Sequence, residues 1–143
     1  MVELKDIIKP HLSNVKLALL DQKNLYNING LIISHISMTK LPFDKFASID
    51  GILGTSLSIR HNKPQILITP NGLLGDITNK TALFVADVPS HEVLSAISLI
   101  RSSGGICNTC IVVMDDENML SDTFKNNKVE VYPLIKKSDF GVF

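Results

Sequence analysis

Apolar positions along this chain follow two periods. From 81 to 87, Thr-Ala-Leu-Phe-Val-Ala-Asp is apolar until its last residue, the pattern of a central strand covered on both faces whose carboxyl end presents a polar group. Over 92–103, Val93, Leu94, Ile97 and Ile100 recur at helical spacing, with Ser90 placed to cap the start and Gly104 to stop the end. Residues 106–114 predict a second buried strand, which runs out in Asp115, Asp116 and Glu117. A short helix over 120–124 and a last strand over 129–134 complete this half.

The first half is less regular. Leu4, Ile7, Ile8, Leu12, Val15, Leu17, Leu19 and Leu20 fit two helical pieces interrupted at Pro10. Asn27, Asn29 and Gly30 predict a turn, and 31–37 a buried strand. Residues 42–46 read as one helical turn, 49–54 as a short strand running into a glycine, and 55–61 as a brief helix. Residues 65–69 then predict a strand, Pro70, Asn71 and Gly72 a turn, and 75–80 a polar connection. Strands alternating with helices imply an α/β fold of three layers. In such a fold a mostly parallel central sheet is flanked by helices, and a ligand crevice lies at the carboxyl ends of the strands.

At 143 residues the chain fits a single domain over 1–143. Its 14 basic and 14 acidic side chains balance, so no net attraction to nucleic acid or to a membrane surface is expected. The longest apolar runs fall well short of the roughly 20 residues that cross a bilayer. The start, Met1-Val2-Glu3-Leu4-Lys5, has no basic segment followed by an apolar core, so the reading is a cytoplasmic protein. Cys107 and Cys110 form a C-x-x-C spacing at the start of a strand rather than a helix. That placement, with no second cysteine pair, favours two small buried residues over a redox or zinc pair. Side chains three apart on a regular strand point to opposite faces.

The most informative position is the loop between the 81–87 strand and the helix after it, where free amides and the helix dipole favour anions. It reads Asp87-Val88-Pro89-Ser90-His91-Glu92. With the strand before it, this stretch resembles the type I phosphoribosyltransferases, whose strand ends in two acids, a hydrophobic pair and a Thr/Ser-Gly-Gly-Ser/Thr loop. Asp87 matches the second acid and Ser90 the first hydroxyl; Ala86 replaces the first acid, the glycines are absent, and the loop is about two residues short. Leu94-Ser95-Ala96-Ile97 through Arg101 to Gly105 resembles the family's next helix, and Ile111 to Asp115 its next strand. The tail, 129–140, is similar to the closing strand of the orotate branch. Further upstream, Ile49 to Thr55 resembles the strand and loop that cradle pyrophosphate, although the basic residues expected after the following strand are replaced by Thr69-Pro70-Asn71-Gly72 and leave Lys63 as the nearby cation.

The resemblance implies a reduced phosphoribosyltransferase-like fold. Its ligand-binding residues would be Asp87, Val88, Pro89, Ser90 and His91 for a ribose phosphate, and Gly54, Thr55 and Ser56 for pyrophosphate. It also implies a homodimer and an origin in pyrimidine metabolism. The degenerate loop points to a non-catalytic protein that binds a phosphorylated nucleotide or ribose ligand, or acts as a dimeric regulator. The alternative is an active, divergent phosphoribosyltransferase using magnesium. On the residues alone, Asp87 either lines a crevice or caps the loop, Ser90 either caps a helix or binds phosphate, and the 115–117 acids either hold a hard cation or form a solvated loop.

Overall fold

The computed structural model describes residues 3–49 and 51–141. Met1 and Val2, used in the reading of the start, and Asp50, inside the expected 49–54 strand, lie outside the described residues.

The chain opens with α1 (Leu4–Ile8), a 3-10 turn at Lys9–His11 that contains Pro10, and a second 3-10 segment at Val15–Leu20. Next comes α2 (Gln22–Thr39), capped by Asp21, whose carboxylate accepts the Asn24 amide at 3.0 Å. The strand expected over 31–37 is therefore part of a helix. Ile28, Ile32 and Ile36, four residues apart, are buried on one face of it. Branched side chains cost only tenths of a kcal/mol in a helix, so tertiary packing decides. All three residues read as turn formers, Asn27, Asn29 and Gly30, lie within α2; Asn29 is buried beside the Ser56 hydroxyl, and a Cβ on Gly30 would lie 3.4 Å from the Arg60 guanidinium.

A second correction falls at β1 (Lys45–Ser48), where a helical turn was expected over 42–46 and a strand over 49–54. The strand comes earlier, and Ile52 already begins α3 (Ile52–His61). Leu53, Gly54 and Leu57 are buried on α3, with the spacing of a helix rather than a strand. β2 (Gln65–Thr69) follows as expected and then turns at Pro70 and Asn71 into β3 (Gly72–Leu74), an antiparallel partner of three residues, too short to show an alternating pattern.

The second half matches its pattern closely: β4 (Thr81–Ala86), α4 (His91–Ser102), β5 (Ile106–Asp115), α5 (Ser121–Asn126), β6 (Glu130–Lys136) and a 3-10 turn at Lys137–Phe140. The described strands form a six-stranded sheet in the order β3-β2-β1-β4-β5-β6, parallel except for β3. Alternate residues of β4 and β5 feed two cores. Leu83, Val85, Ile111 and Val113 pack with the first three helices, and Ala82, Phe84, Ala86, Cys110 and Val112 pack with α4 and α5. This is the expected three-layer α/β arrangement. Among the described residues no helix is long and apolar enough to cross a membrane.

The C-x-x-C pair departs from regular alternation. The β4 to β5 register steps from Thr81↔Ile106 to Leu83↔Thr109, so β5 carries one extra residue, a bulge. Cys107 and Cys110 consequently face the same core, against the expectation of opposite faces. Both are free and fully buried; burial pushes the Cys107 thiol up to about 12 and the Cys110 thiol further up still.

Candidate functional site

The strand order reverses between β1 and β4, and in an open parallel sheet this is where a ligand crevice lies, outside the carboxyl ends of the two strands. The loop after β4 therefore sits at the position that matters. Its groups are largely engaged within the protein. The Asp87 carbonyl accepts the Met114 amide at 3.0 Å, the Val88 side chain packs into the core of the first three helices, and the Pro89 carbonyl accepts the Asn118 side-chain amide at 2.8 Å. The Ser90 hydroxyl caps α4 by accepting the Val93 amide at 3.2 Å, and its carbonyl accepts the Leu94 amide at 3.3 Å. His91 and Glu92 occupy the first two positions of α4, so their amides have no intrahelical acceptor.

Beside this loop the crevice measures about 50 Å³, lined by Lys16, Ile49, Val85, Ala86, Asp87, Ser90, Glu92 and Val93. Asp87 and Ser90 thus line one space, while Val88, Pro89 and His91 do not line it. Lys16 was not foreseen. It reaches the crevice because the 3-10 segment at Val15–Leu20 passes over the switch point, a tertiary placement with no local sequence signal. Glu92 lies at the same place and would oppose a bound anion.

Gly54, Thr55 and Ser56 lie within α3 rather than in a loop, and none of them lines the crevice beside Asp87. A Cβ on Gly54 would fall 2.3 Å from the Ser48 hydroxyl, so the glycine is there to let α3 approach β1. The Thr55 amide donates to the Gly51 carbonyl at 2.9 Å, and the Thr55 hydroxyl oxygen accepts the Gln65 side-chain amide at 3.0 Å. The Ser56 hydroxyl donates to the Ile52 carbonyl at 2.6 Å. Lys63 precedes β2, at the amino ends of the strands and away from the crevice, where its ammonium donates to the Phe43 carbonyl at 3.0 Å and lies 4.9 Å from the Phe43 ring.

Two larger concavities flank the small crevice. One, about 560 Å³, runs between α4 and the β2–β3 hairpin along Ile49, Ile68, Thr69, Pro70, His91, Glu92, Ser95, Ala96 and Leu99. The other, about 420 Å³, lies beyond β5 and β6 and includes Asp115, Glu117, Asn118 and Lys136. The acids there are engaged with backbone: Asp115 accepts the Glu117 amide at 2.9 Å, and Glu117 accepts the Ser138 amide at 2.8 Å, which holds the Glu117 carboxyl below its usual range. Asp116 is raised by burial and by the neighbouring Asp115. Among the described residues no group of three His, Cys, Asp or Glu side chains is placed to hold a metal ion.

No family model matches the chain. An orotate phosphoribosyltransferase of Picrophilus torridus is 27% identical over 137 residues, 88% of this chain and 81% of that protein. The same enzyme of Methanosphaera stadtmanae is 26% identical over 125 residues, 76% of this chain and 70% of that protein. The structure of Mycobacterium tuberculosis orotate phosphoribosyltransferase in complex with 5-phospho-α-D-ribosyl 1-diphosphate superimposes with a TM-score of 0.82 at 13% identity, covering 99% of this chain and 94% of that one. With the sheet order and layering above, these similarities show that the chain has the type I phosphoribosyltransferase fold and is similar in sequence to orotate phosphoribosyltransferases.

Proposed function

We propose that this protein is a single-domain, non-catalytic relative of orotate phosphoribosyltransferase that acts as a homodimeric regulator or interaction partner. The observation that carries this reading is the 50 Å³ crevice beside Asp87. Small-molecule sites occupy ~300–1,000 Å³, and each water takes ~30 Å³ of liquid, so the space beside Asp87 is that of one or two waters.

Three further features point the same way. The loop lacks the glycines that carry phosphate-binding amides in the family. With each such bond worth about 1.5–3 kcal/mol, losing two costs ~3–6 kcal/mol, or roughly 10²–10⁴ in affinity. The family's mobile loop with its basic residues is represented here by the two-residue turn at Pro70 and Asn71. The residues at the crevice do not fit a magnesium pyrophosphate group either: Asp87 lacks the preceding acid, Lys16 shares the space, and Lys63 lies at the amino ends of the strands.

A phosphorylated nucleotide or ribose ligand would have to open the crevice and use Asp87, Ser90 and the first amides of α4. Calorimetric titration with phosphoribosyl pyrophosphate and magnesium tests the reading, with no saturable heat expected at micromolar protein. Sedimentation at the same concentration is expected to give a dimer, and a monomer contradicts that part. The names of the relatives favour the second reading, a divergent active enzyme in nucleotide biosynthesis in which Gly54 to Ser56 would also contact pyrophosphate.

A further inference from the structure

We propose that Asn71 is a site of slow covalent modification: the Gly72 backbone nitrogen displaces its side-chain amide, leaving aspartate or isoaspartate at the tip of the β2–β3 hairpin. This goes beyond the proposed function, in which neither residue binds or reacts.

The chain holds two Asn-Gly pairs, Asn29-Gly30 and Asn71-Gly72, and the fold treats them differently. Asparagine is thermolabile because the backbone nitrogen of the next residue can attack its carboxamide carbon. Glycine as that next residue has no Cβ to shield the nitrogen. Asn29 and Gly30 lie inside α2, where the Gly30 amide is committed to a carbonyl one turn back. Asn29 is also buried, and its side-chain oxygen accepts the Ser56 hydroxyl at 3.3 Å. Attack there has to wait for α2 to open.

Asn71 stands in the exposed turn, and its side chain has no hydrogen-bond partner among the described residues. A Cβ built on Gly72 would meet nothing within 4 Å, so the approach to its nitrogen is open. The Thr69 hydroxyl accepts the Asn71 amide at 3.2 Å and donates to the Gly72 carbonyl at 2.9 Å. Those bonds hold neither the Asn71 carboxamide nor the Gly72 nitrogen. The pair Thr69↔Gly72 is the last rung of a short ladder at an edge of the sheet, and such ends fray without the core unfolding.

The reaction needs only water. A bond forms between the Gly72 nitrogen and Asn71 Cγ, the Cγ–Nδ2 bond breaks, and the Gly72 proton passes through solvent to the departing nitrogen, which leaves as ammonia. Water then opens the succinimide, at Cγ to give aspartate or at the backbone carbonyl to give isoaspartate. Either product adds one negative charge to a chain of zero formal net charge. Isoaspartate also lengthens the backbone of the turn by a methylene and so disturbs the register of β3.

The test ages the folded protein in warm, mildly alkaline buffer, separates its forms by anion exchange and maps them by peptide mass spectrometry. A more acidic form is expected, with the amide lost at Asn71 and kept at Asn29. Loss at Asn71 is expected to be at least about tenfold faster than at Asn29, because Asn29 reacts only on opening of α2. Asn71→Gln, which could close only a slower six-membered ring, is expected to keep the native charge. Loss at Asn71 no faster than at Asn29 overturns the proposal, as does the same acidic form in Asn71→Gln. An equal preference for Asn71 in denaturant would overturn the part assigned to the fold.

Discussion

The side-chain amide of Asn118 donates a 2.8 Å hydrogen bond to the backbone carbonyl of Pro89, tying the loop after β5 to the loop after β4. The same side chain accepts the Leu120 amide at 3.2 Å through its oxygen. One residue thus fastens the loop after β4 and closes the turn that leads into α5.

Asn118→Ala removes both bonds. It is expected to destabilise the protein by about 1–2 kcal/mol in urea unfolding. Hydrogen exchange at the amides of residues 88–92 is expected to quicken by more than at β4, and uniform quickening would argue that Asn118 has no special hold on the loop.

Gly54→Ala places a methyl group 2.3 Å from the Ser48 hydroxyl and 3.1 Å from the Gln65 side-chain oxygen. Ser48 is buried and cannot swing into solvent, so a loss of about 1–3 kcal/mol is expected. The Ser48 hydroxyl has no hydrogen-bond partner among the described residues, so Ser48→Ala alone should be neutral or stabilising by up to ~1 kcal/mol. In the double variant Ser48→Ala relieves part of the clash, a coupling that a double-mutant cycle in denaturant reads directly.

Asp116 gives a pH dependence whose sign is fixed. Burial and the adjacent Asp115 raise its folded value above the unfolded value of 3.8. The folded state therefore binds the proton more tightly, and the wild type loses stability as pH rises from 3.8 to the folded value. Asp116→Asn is expected to be more stable than the wild type at pH 7, with the difference shrinking as pH falls from the folded value towards 3.8, as followed by thermal melts. A difference independent of pH would remove ionisation as the cause.

Cys107 and Cys110 are buried in one core, and the Cys107 thiol is pushed up to about 12. Reaction with a disulfide reagent at pH 8 should be negligible in the folded protein and complete for two thiols on unfolding. Fast labelling of either in the native state would restore the redox reading of the C-x-x-C spacing.

The sequence was most legible where local signals and tertiary demands agree. β4 and β5 are covered on both faces and so are continuously apolar, and α4 carries its own cap at Ser90 and its stop at Gly104. Legibility failed where tertiary packing overrode local character. The branched run 31–37 sits in a helix because Ile28, Ile32 and Ile36 meet the sheet, and Gly54, read as part of a phosphate cradle, is a close-packing glycine against Ser48. That Asp87 and Ser90 flank the loop between β4 and α4 could be read from the sequence. The way this loop is held could not, because Lys16 and Asn118 arrive from distant segments.

The central claim is that this phosphoribosyltransferase fold has lost its chemistry with its crevice. Spectrophotometric turnover of orotate with phosphoribosyl pyrophosphate and magnesium, for the wild type and Asp87→Ala side by side, tests it most directly. The prediction is a rate at the buffer background for both. Enzymatic turnover by the wild type that Asp87→Ala abolishes would contradict the account.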